Sequence, residues 1–316
     1  MDKQRKILMI GNKDSGKTTY MASAYGIMKN GKFGFSVFGD DGSDTWLMNL
    51  YNKIKVGKYP IPTDKRSRFN FDLYYYQQKV LSFEWIDYFG GVITESKSEE
   101  LESDIDDADA IMIFLEASAL LDNQKSVTQF RRIQYLITNK LVEMDRHFDV
   151  IVVVTKYDMV ADRASFEDVC RSLNNLSESI SGKDNIYFRI VPVSCTSNGF
   201  VNVDLPLIDI LHTGLGMNYI SHAVMVKENA EKAADYNNQR GIFDWAFSRL
   251  LGVKTNGELA EEHLQTALKE KELYEKLETP FQKLSQYREN YNVEIPVTHT
   301  EMNYSTGNRR GRFVNL

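Results

Sequence analysis

A glycine-framed loop near the start of the chain constrains the fold more than any other stretch of the sequence. Gly11 and Gly16 bracket four residues, Lys17 and Thr18 follow directly, and the apolar run of residues 7–10 precedes them. Glycine lets backbone N–H groups turn inward around an anion where a Cβ would obstruct them. A helix that starts at such a loop adds the positive end of its dipole. This pattern between a strand and a helix predicts a phosphate-binding loop, and an ordinary glycine-containing turn is the plainer alternative.

The loop residues have separate expected tasks. Lys17 would place its charge between two phosphate groups, and the Thr18 hydroxyl would ligate the Mg²⁺ that bridges them. Lys13 is expected to point to solvent, as lysine side chains usually do. The predicted nucleotide-contacting residues of the loop are Gly11, Asp14, Ser15, Gly16, Lys17, Thr18 and Thr19.

Apolar periodicity along the next two hundred residues predicts alternating strands and helices. Helical patterns cover residues 17–29, 123–146 and 165–180, a hairpin covers 68–76 with 80–86, and buried strands cover 110–115, 150–154 and 187–193. Residues 32–63 are predicted to be a long irregular connection with one short helix, a natural place for a mobile segment. Strands that alternate with helices predict an α/β fold with a mostly parallel sheet.

The carboxyl ends of the predicted strands carry polar residues suited to phosphate and metal. Asp87 follows the second hairpin strand, where a carboxylate can hold Mg²⁺ directly or through water. Gly90 could offer its N–H to a γ-phosphate. An Asp-x-x-Gly pattern is common, and a surface turn would explain it equally well.

Residues after the last two buried strands suit a purine base. Asp158 can accept hydrogen bonds from N1–H and the exocyclic amine of guanine, groups that adenine does not present, and the Lys156 stem can cover the base. A solvated Lys/Asp pair is the plain alternative. Ser194, Cys195 and Thr196 could present backbone N–H groups to the guanine O6, although a polar turn needs no ligand. Thr155 completes this predicted base-binding set.

In their order and spacing these motifs resemble those of the Ras-like P-loop GTPases. The resemblance covers residues 5 to about 225 and is carried by residues 11–18, 87–90, 155–158 and 194–196. It implies a three-layer P-loop domain with a mostly parallel six-stranded sheet, GTP or GDP with Mg²⁺, and two switch segments. The switch segments would be about residues 32–66 and 87–104.

The resemblance also implies a threonine in the first switch that ligates Mg²⁺. Thr63 is the candidate, and Thr45 is the alternative. The implied catalytic residues are then Lys17, Thr63 and Gly90, and the implied metal ligands are Thr18, Thr63 and Asp87. The long first switch with its Pro-x-Pro-Thr ending resembles the small GTPase-like proteins of bacterial operons more than eukaryotic Ras.

Several departures from the family pattern affect the expected mechanism. Gly91 stands where many members carry the glutamine that orients the attacking water, so the expectation is either slow intrinsic hydrolysis or a water-positioning group elsewhere in the chain. Asp14 stands in the loop where potassium-activated relatives have asparagine, so it gives no support for a potassium site. Arg66 and Arg68 could act as an arginine finger in cis, but the alternation of the following strand favours a plain solvated role.

Composition excludes several other classes of protein. The net charge is −6 at pH 7, which argues against a general nucleic-acid binder. The two cysteines, Cys170 and Cys195, form no Cys-x-x-Cys or Cys/His cluster, so neither a disulfide framework nor a zinc site is expected. The first residues do not resemble a signal peptide, and no apolar run reaches the roughly 18 residues of a membrane span. A cytoplasmic protein is expected.

The last third of the chain predicts a helical extension. The predicted domains are 1–225, the nucleotide domain; 226–296, a helical hairpin with a break at Thr279 and Pro280; and 297–316, a disordered tail. Aromatic residues cluster within residues 241–252, where a membrane or partner contact is possible but packing on the protein is favoured. A protein effector or activating partner is expected, and an oligomer is possible.

Four functions remain open on the sequence alone. The favoured one is a GTP-hydrolysing molecular switch. The absent glutamine motivates a GTP-binding scaffold that does not hydrolyse the nucleotide. An ATP-dependent P-loop phosphotransferase and, more distantly, a dynamin-like membrane machine are the others.

Overall fold

The computed structural model describes residues 4–61, 66–88, 98–122, 134–135, 137–141, 144–180, 183–238 and 254–291. The strands are β1 (Arg5–Gly11), β2 (Phe35–Gly39), β3 (Ser67–Tyr75), β4 (Gln78–Asp87), β5 (Ala110–Glu116), β6 (Phe148–Thr155), β7 (Ile186–Pro192), β8 (Ser194–Thr196) and β9 (Gly199–Val201). The α-helices are α1 (Lys17–Lys29), α2 (Asp41–Ile54), α3 (Ser98–Asp107), α4 (Ala117–Leu121), α5 (Phe166–Cys170), α6 (Asn174–Ile180), α7 (Leu205–Asn238) and α8 (Asn256–Glu289).

Seven strands form one mostly parallel sheet in the order β2-β3-β4-β1-β5-β6-β7. Strands β4, β1, β5, β6 and β7 are parallel neighbours, and β2 and β3 run antiparallel at one edge. The sheet confirms the predicted α/β class and the predicted hairpin. The centre of the sheet is apolar on both faces, since every residue of β6 and β7 is buried. Because β1, β5 and β6 run parallel, their carboxyl ends lie at the same edge of the sheet.

The predicted count of six strands is wrong by one, because β2 forms within the stretch predicted to be irregular. A tight turn at Phe33 and Gly34 starts the strand, with backbone φ angles of 53° and 84°. Lys32 and Phe35 exchange two backbone hydrogen bonds of 2.8 and 2.9 Å across it. Five residues are too short for alternation to be visible in the sequence.

Helix α2 occupies most of the remaining predicted irregular connection and packs on α1. Leu47, Tyr51 and Ile54 form its buried face. The ring of Tyr51 lies against Gly26 of α1 so closely that a Cβ at Gly26 would be 2.2 Å from the ring. Close packing thus anchors the helix that precedes residues 59–61.

The chain divides into two compact units, Met1–Thr213 with Gln286–Leu316, and Gly214–Ser285. In the first unit, the last turn of α8 is fastened by polar contacts. The Tyr287 hydroxyl donates to Asp204, and Arg288 Nε donates to Asp209 Oδ1 at 2.8 Å. Asp209 also accepts two bonds of 2.7 and 2.8 Å from Arg189.

The second unit is built from the facing parts of α7 and α8. Tyr219 stacks on Tyr274 with ring centroids 4.4 Å apart, and His222 Nδ1 lies 2.5 Å from Glu270 Oε2. The predicted break at Thr279 and Pro280 is wrong, because α8 continues through Pro280. Its buried positions Leu277 and Leu284 keep the helical spacing across the proline, so packing outweighs the lost N–H bond.

Other predictions for the C-terminal third stay predictions. The domain boundaries at residues 225 and 296 are among them. The aromatic stretch 241–252 and the tail 297–316 lie outside the described residues. None of the helices in the described part of the chain combines the length and the apolar character that a membrane span requires.

Candidate functional site

The loop after β1 has the conformation that its glycines suggest. At Gly11 a Cβ would stand 2.6 Å from the carbonyl oxygen of Phe114 and 2.8 Å from Ser15 Oγ, so a larger residue would collide with the neighbouring strand. Gly16, at the start of α1, has a φ of 87°, which side chains disfavour. Both framing glycines are therefore required by geometry, and α1 starts at Lys17 as predicted.

Lys17 is buried within the loop. Its Nζ donates to the carbonyl oxygens of Gly11 and Asn12 at 2.9 and 3.0 Å. Burial lowers the pKa of Lys17, while the negative charges of Asp87 and Asp14 act in the opposite direction. A buried ammonium group beside a loop of backbone N–H groups is suited to bind an anion.

The surroundings of Asp87 test whether Mg²⁺ would fit this loop. Asp87 ends β4 beside Met9 of β1 and is 1% exposed. Its Oδ1 has no hydrogen-bond partner among the described residues. Burial raises the pKa of Asp87 to about 6, although the charge of Lys17 opposes this shift. Thr18, on the first turn of α1, is also buried.

An unpartnered carboxylate oxygen and a hydroxyl are the oxygen ligands that Mg²⁺ prefers. Within the described residues no three His, Cys, Asp or Glu side chains gather into a metal cage. Mg²⁺ is usually held by one or two protein groups together with water and substrate phosphates, and Asp87 and Thr18 are groups of that kind. The residues present fit the ion.

The end of β6 is tied directly to the loop. Thr155 Oγ1 donates to the carbonyl oxygen of Ser15 at 2.7 Å and lies 3.2 Å from that of Leu115. The short hydroxyl side chain thus bridges three segments. Thr155 joins the predicted base-binding turn to the phosphate loop.

Lys156 and Asp158 are each held by a neighbouring strand end. Lys156 has a left-handed φ of 53°, and its Nζ donates to Glu116 Oε2 at 2.8 Å. The backbone N–H of Asp158 donates to Ser194 Oγ at 3.0 Å, which leaves the exposed carboxylate available. The two loops predicted to contact a base are therefore linked.

One cleft of about 430 Å³ contains both ends of the predicted site. Lys17 and Asp158 line the same cleft. Its full lining is Lys13, Asp14, Ser15, Gly16, Lys17, Thr18, Thr19, Tyr59, Pro60, Ile61, Thr155, Lys156, Asp158, Met159, Val193, Cys195 and Thr196. Its volume is in the range of small-molecule sites.

Some predicted site residues do not line the cleft. Gly11, Asp87 and Ser194 do not line the cleft, but each acts on a residue that does. Gly11 lies against Ser15, Asp87 interacts electrostatically with Lys17, and Ser194 Oγ accepts from the N–H of Asp158. Thr63, Gly90 and Gly91 lie outside the described residues. The alternative metal ligand Thr45 is exposed in the middle of α2 and does not line the cleft.

Several lining residues were missed by the sequence analysis. Tyr59, Ile61 and Met159 add apolar side chains to the cleft although they are 53, 87 and 61% exposed. Glu116, the partner of Lys156, was missed as well. Its position at the carboxyl end of a buried strand was an available signal.

Three other side chains from the sequence analysis have clear surroundings. Burial raises the pKa of the Cys195 thiol to about 12, which disfavours the nucleophilic thiolate form. Arg66 pairs with two carboxylates of α3, and Arg68 pairs with one carboxylate of β4 and one of α3, so neither is simply solvated as expected.

No protein-family model matches the chain, and no curated protein matches it. Similar solved structures include a bacterial selenocysteine-specific elongation factor EF-Sec, at 16% identity and a TM-score of 0.39, covering 68% of this chain and 29% of that one. The Arl6 BBS3 small GTPase from Trypanosoma brucei, with bound GppNp, has 14% identity and a TM-score of 0.40, covering 67% and 98%. The signal recognition particle receptor SRb of Chaetomium thermophilum has 13% identity and a TM-score of 0.38, covering 63% and 94%.

These likenesses are too low to carry any statement about ligand, activity or partner. The fold follows from the chain's own geometry. The glycine-framed loop of residues 11–18 joins β1 to α1, β6 ends in the turn at residues 155–158, and β1 lies between β4 and β5 in a mostly parallel sheet. The chain has the fold of the Ras-like P-loop GTPases, extended by an edge strand and a C-terminal pair of helices.

Proposed function

We propose that the chain binds GTP and GDP with Mg²⁺, hydrolyses GTP slowly and acts as a molecular switch. The observation that carries this proposal is that Lys17 and Asp158 line the same cleft. A buried ammonium group suits phosphate, and a carboxylate on a strand-end turn suits the hydrogen-bond donors of guanine.

At the phosphate end, Lys17 and the loop N–H groups would stabilise negative charge on the nucleotide. Thr18 and Asp87 would hold Mg²⁺, with Thr63 as the further predicted ligand. When bound, the ion would neutralise charge on the β- and γ-phosphates. Ile61 lines the cleft only two residues before Thr63, which supports Thr63 over Thr45.

The proposed reaction is an in-line attack of water on the γ-phosphorus. A bond forms from the water oxygen to phosphorus, the bond to the β–γ bridging oxygen breaks, and GDP and inorganic phosphate leave. Lys17 would stabilise the charge that moves onto the bridging oxygen. Glycine at position 91 offers no side chain to orient the water, so the rate is expected to be slow.

At the base end, Asp158 would accept from N1–H and the exocyclic amine of guanine. Lys156, held by Glu116, would lay its aliphatic stem along the base. Backbone N–H groups of Ser194, Cys195 and Thr196 would approach O6. Adenine has neither the N1–H and 2-amino donors that Asp158 would bind nor an O6 acceptor, so ATP would bind more weakly.

Competition binding of GTP, GDP and ATP, followed by single-turnover release of phosphate from GTP, tests the proposal. The expected result is a guanine preference with phosphate release above that of Lys17→Ala. Guanine-specific binding without release above that background would replace the switch with a GTP-holding scaffold. Equal affinities for ATP and GTP would favour a phosphotransferase.

As a switch, the protein would present residues 32–66 and 87–104 to an effector or an activating partner according to the nucleotide bound. The helices α7 and α8 are the candidate appendage that responds. The expected location is cytoplasmic. Pull-down with the GDP-loaded and the GppNp-loaded protein would show whether any partner distinguishes the two states.

A further inference from the structure

Asp104 of α3 gathers side chains from two other parts of the chain. The Tyr88 hydroxyl and Arg66 Nη2 both donate to its Oδ2, and Arg68 Nη2 donates to its Oδ1 at 3.2 Å. The residue itself is only 7% exposed. Both of its oxygens are therefore engaged, and the carboxylate is the common acceptor of the group.

A second layer of contacts closes this group, which we call the Asp104 cluster. Arg66 also donates to Glu100 of α3, and its guanidinium lies 5.2 Å from the centre of the Tyr88 ring. Arg68 also donates to both carboxylate oxygens of Glu84 at 3.1 Å. Tyr88 and Glu84 are 2 and 8% exposed, whereas the side chains of Arg66 and Arg68 are 25 and 44% exposed, so the cluster has buried acceptors and partly exposed arginines.

The members of the cluster flank both proposed switch segments. Arg66 is three residues beyond Thr63, the predicted Mg²⁺ ligand of the first switch. Tyr88 directly follows Asp87, where the second switch begins, and α3 forms the end of that segment. A single carboxylate thus joins the end of one segment to both ends of the other.

We propose that the Asp104 cluster couples the two switch segments, so that the protein distinguishes a guanosine triphosphate from the diphosphate more sharply than either segment would alone. The inference rests on the proposed function. If binding of the γ-phosphate orders two segments, the binding free energy is reduced by the conformational entropy that both segments lose. When the flanks are already fastened to one acceptor, ordering one segment reduces the entropy that remains to be lost in the other, which is positive coupling.

The decisive experiment compares the affinities of GDP and GppNp, both with Mg²⁺, for the full chain and for Asp104→Asn. The expected result is that the variant loses at least about fivefold more affinity for GppNp than for GDP, the lower end of usual coupling between sites. Tyr88→Phe, which keeps the ring and removes one donor to Asp104, is the milder variant in case the first does not fold. It should shift the ratio in the same direction by a smaller factor.

The matched control is Asp106→Asn. Asp106 lies on the same helix, is exposed, and accepts from Lys140 at 2.8 Å outside the cluster. Its ratio of the two affinities should equal that of the wild type. Hydrogen exchange adds a readout that a merely structural role would not move: GppNp should protect both β3 and α3 in the wild type, and only one of them in the Asp104 variant.

Each outcome has a distinct meaning. If the wild type prefers GppNp to GDP, or the reverse, and folded variants at Asp104 and Tyr88 keep that ratio, the coupling is refuted while the proposed function stands. If the wild type binds both nucleotides with the same affinity, the coupling is likewise refuted. Failure of the wild type to bind any guanine nucleotide overturns the proposed function and, with it, the inference.

Discussion

The two ends of the cleft are built on different physical principles. At the base end, Thr155 and the backbone of Asp158 are held to Ser15 and Ser194 by hydrogen bonds of 2.7 and 3.0 Å between strand ends. At the proposed phosphate end, Lys17 and Asp87 are buried. Burial lowers the pKa of Lys17 and raises the pKa of Asp87 to about 6, so it disfavours the charged form of both groups. The proposed base end is thus held by hydrogen bonds between strand ends, whereas the proposed phosphate end contains two buried ionisable groups.

Unpartnered buried polar atoms show the same contrast. Asn12 Oδ1, Ser15 Oγ and Asp87 Oδ1 have no hydrogen-bond partner within the described residues, and all belong to the phosphate end. A buried polar group without a partner costs about 1–3 kcal/mol. A ligand that forms hydrogen bonds with these groups would therefore stabilise the proposed phosphate end more than the proposed base end. Four predictions test this difference between the two ends.

The largest expected effect is at Lys17. Lys17→Ala should weaken both GDP and GTP by at least about a hundredfold, because a desolvated charge-assisted bond to phosphate is lost. Isothermal titration measures both affinities. Lys13→Ala, at an exposed position of the same loop, is the control and should change affinity by less than about threefold. Equal losses in the two variants would show that the loop binds anions by net charge alone.

The next effect separates the base end from the phosphate end. Asp158→Ala should weaken GTP by roughly ten- to a hundredfold, since hydrogen bonds to a charged group contribute about 1.5–3 kcal/mol, and should leave ATP affinity unchanged. Competition titration with both nucleotides measures this. Asp162→Ala, at an exposed position nearby, should behave as wild type. An equal loss of ATP affinity would mean that Asp158 supports the fold rather than reading the base.

A smaller effect is expected where the two ends join. Thr155→Val keeps the shape of the side chain but leaves the Ser15 carbonyl oxygen without its donor, so the free energy of unfolding should fall by about 1–2 kcal/mol. GTP and GDP should weaken together by about fivefold. Denaturant unfolding and titration measure these changes, and Thr155→Ser should restore them. A change in guanine preference alone would contradict a role in joining the loops.

The smallest effect is expected at Glu116. The ion pair with Lys156 is partly exposed, with side-chain exposures of 29 and 37%, and such pairs contribute about 0–1 kcal/mol. Glu116→Gln should therefore weaken GTP by no more than about fivefold, through looser placement of Lys156. The loss should shrink at high salt, which titration in 50 mM and 500 mM salt would reveal. Ser118→Ala, which removes the other partner of Glu116, should have no measurable effect.

The framework of the site could be predicted because it depends on local pattern. The loop at Gly11 and Gly16 and the turn after β6 follow from glycine placement and from long apolar runs whose ends meet at one edge of the sheet. The predicted base contacts at Thr155, Lys156 and Asp158 have a position in the cleft for the same reason. Their roles toward a nucleotide stay predictions.

What the sequence could not reveal depends on the shapes of distant side chains. β2 is too short for periodicity, and the α2 packing depends on a glycine fifteen positions before the start of α2. The ion-pair partners of Arg66 and Arg68 could not be predicted either, because the sequence does not show which of the nearby acidic residues each arginine contacts. Continuation of α8 through Pro280 likewise reflects the buried face of the helix, which local propensity does not include.

The contact of Tyr51 with Gly26 has a mechanical consequence. Because the ring fills the space left by the missing Cβ, α2 cannot slide along α1 without a collision, and the chain leaves α2 from a fixed origin. The next residue with a left-handed backbone is Gly57, with a φ of 74°. From Gly57 to Thr63 the chain has six residues, which can span at most about 22 Å, so the anchored helix limits the distance between α2 and that threonine.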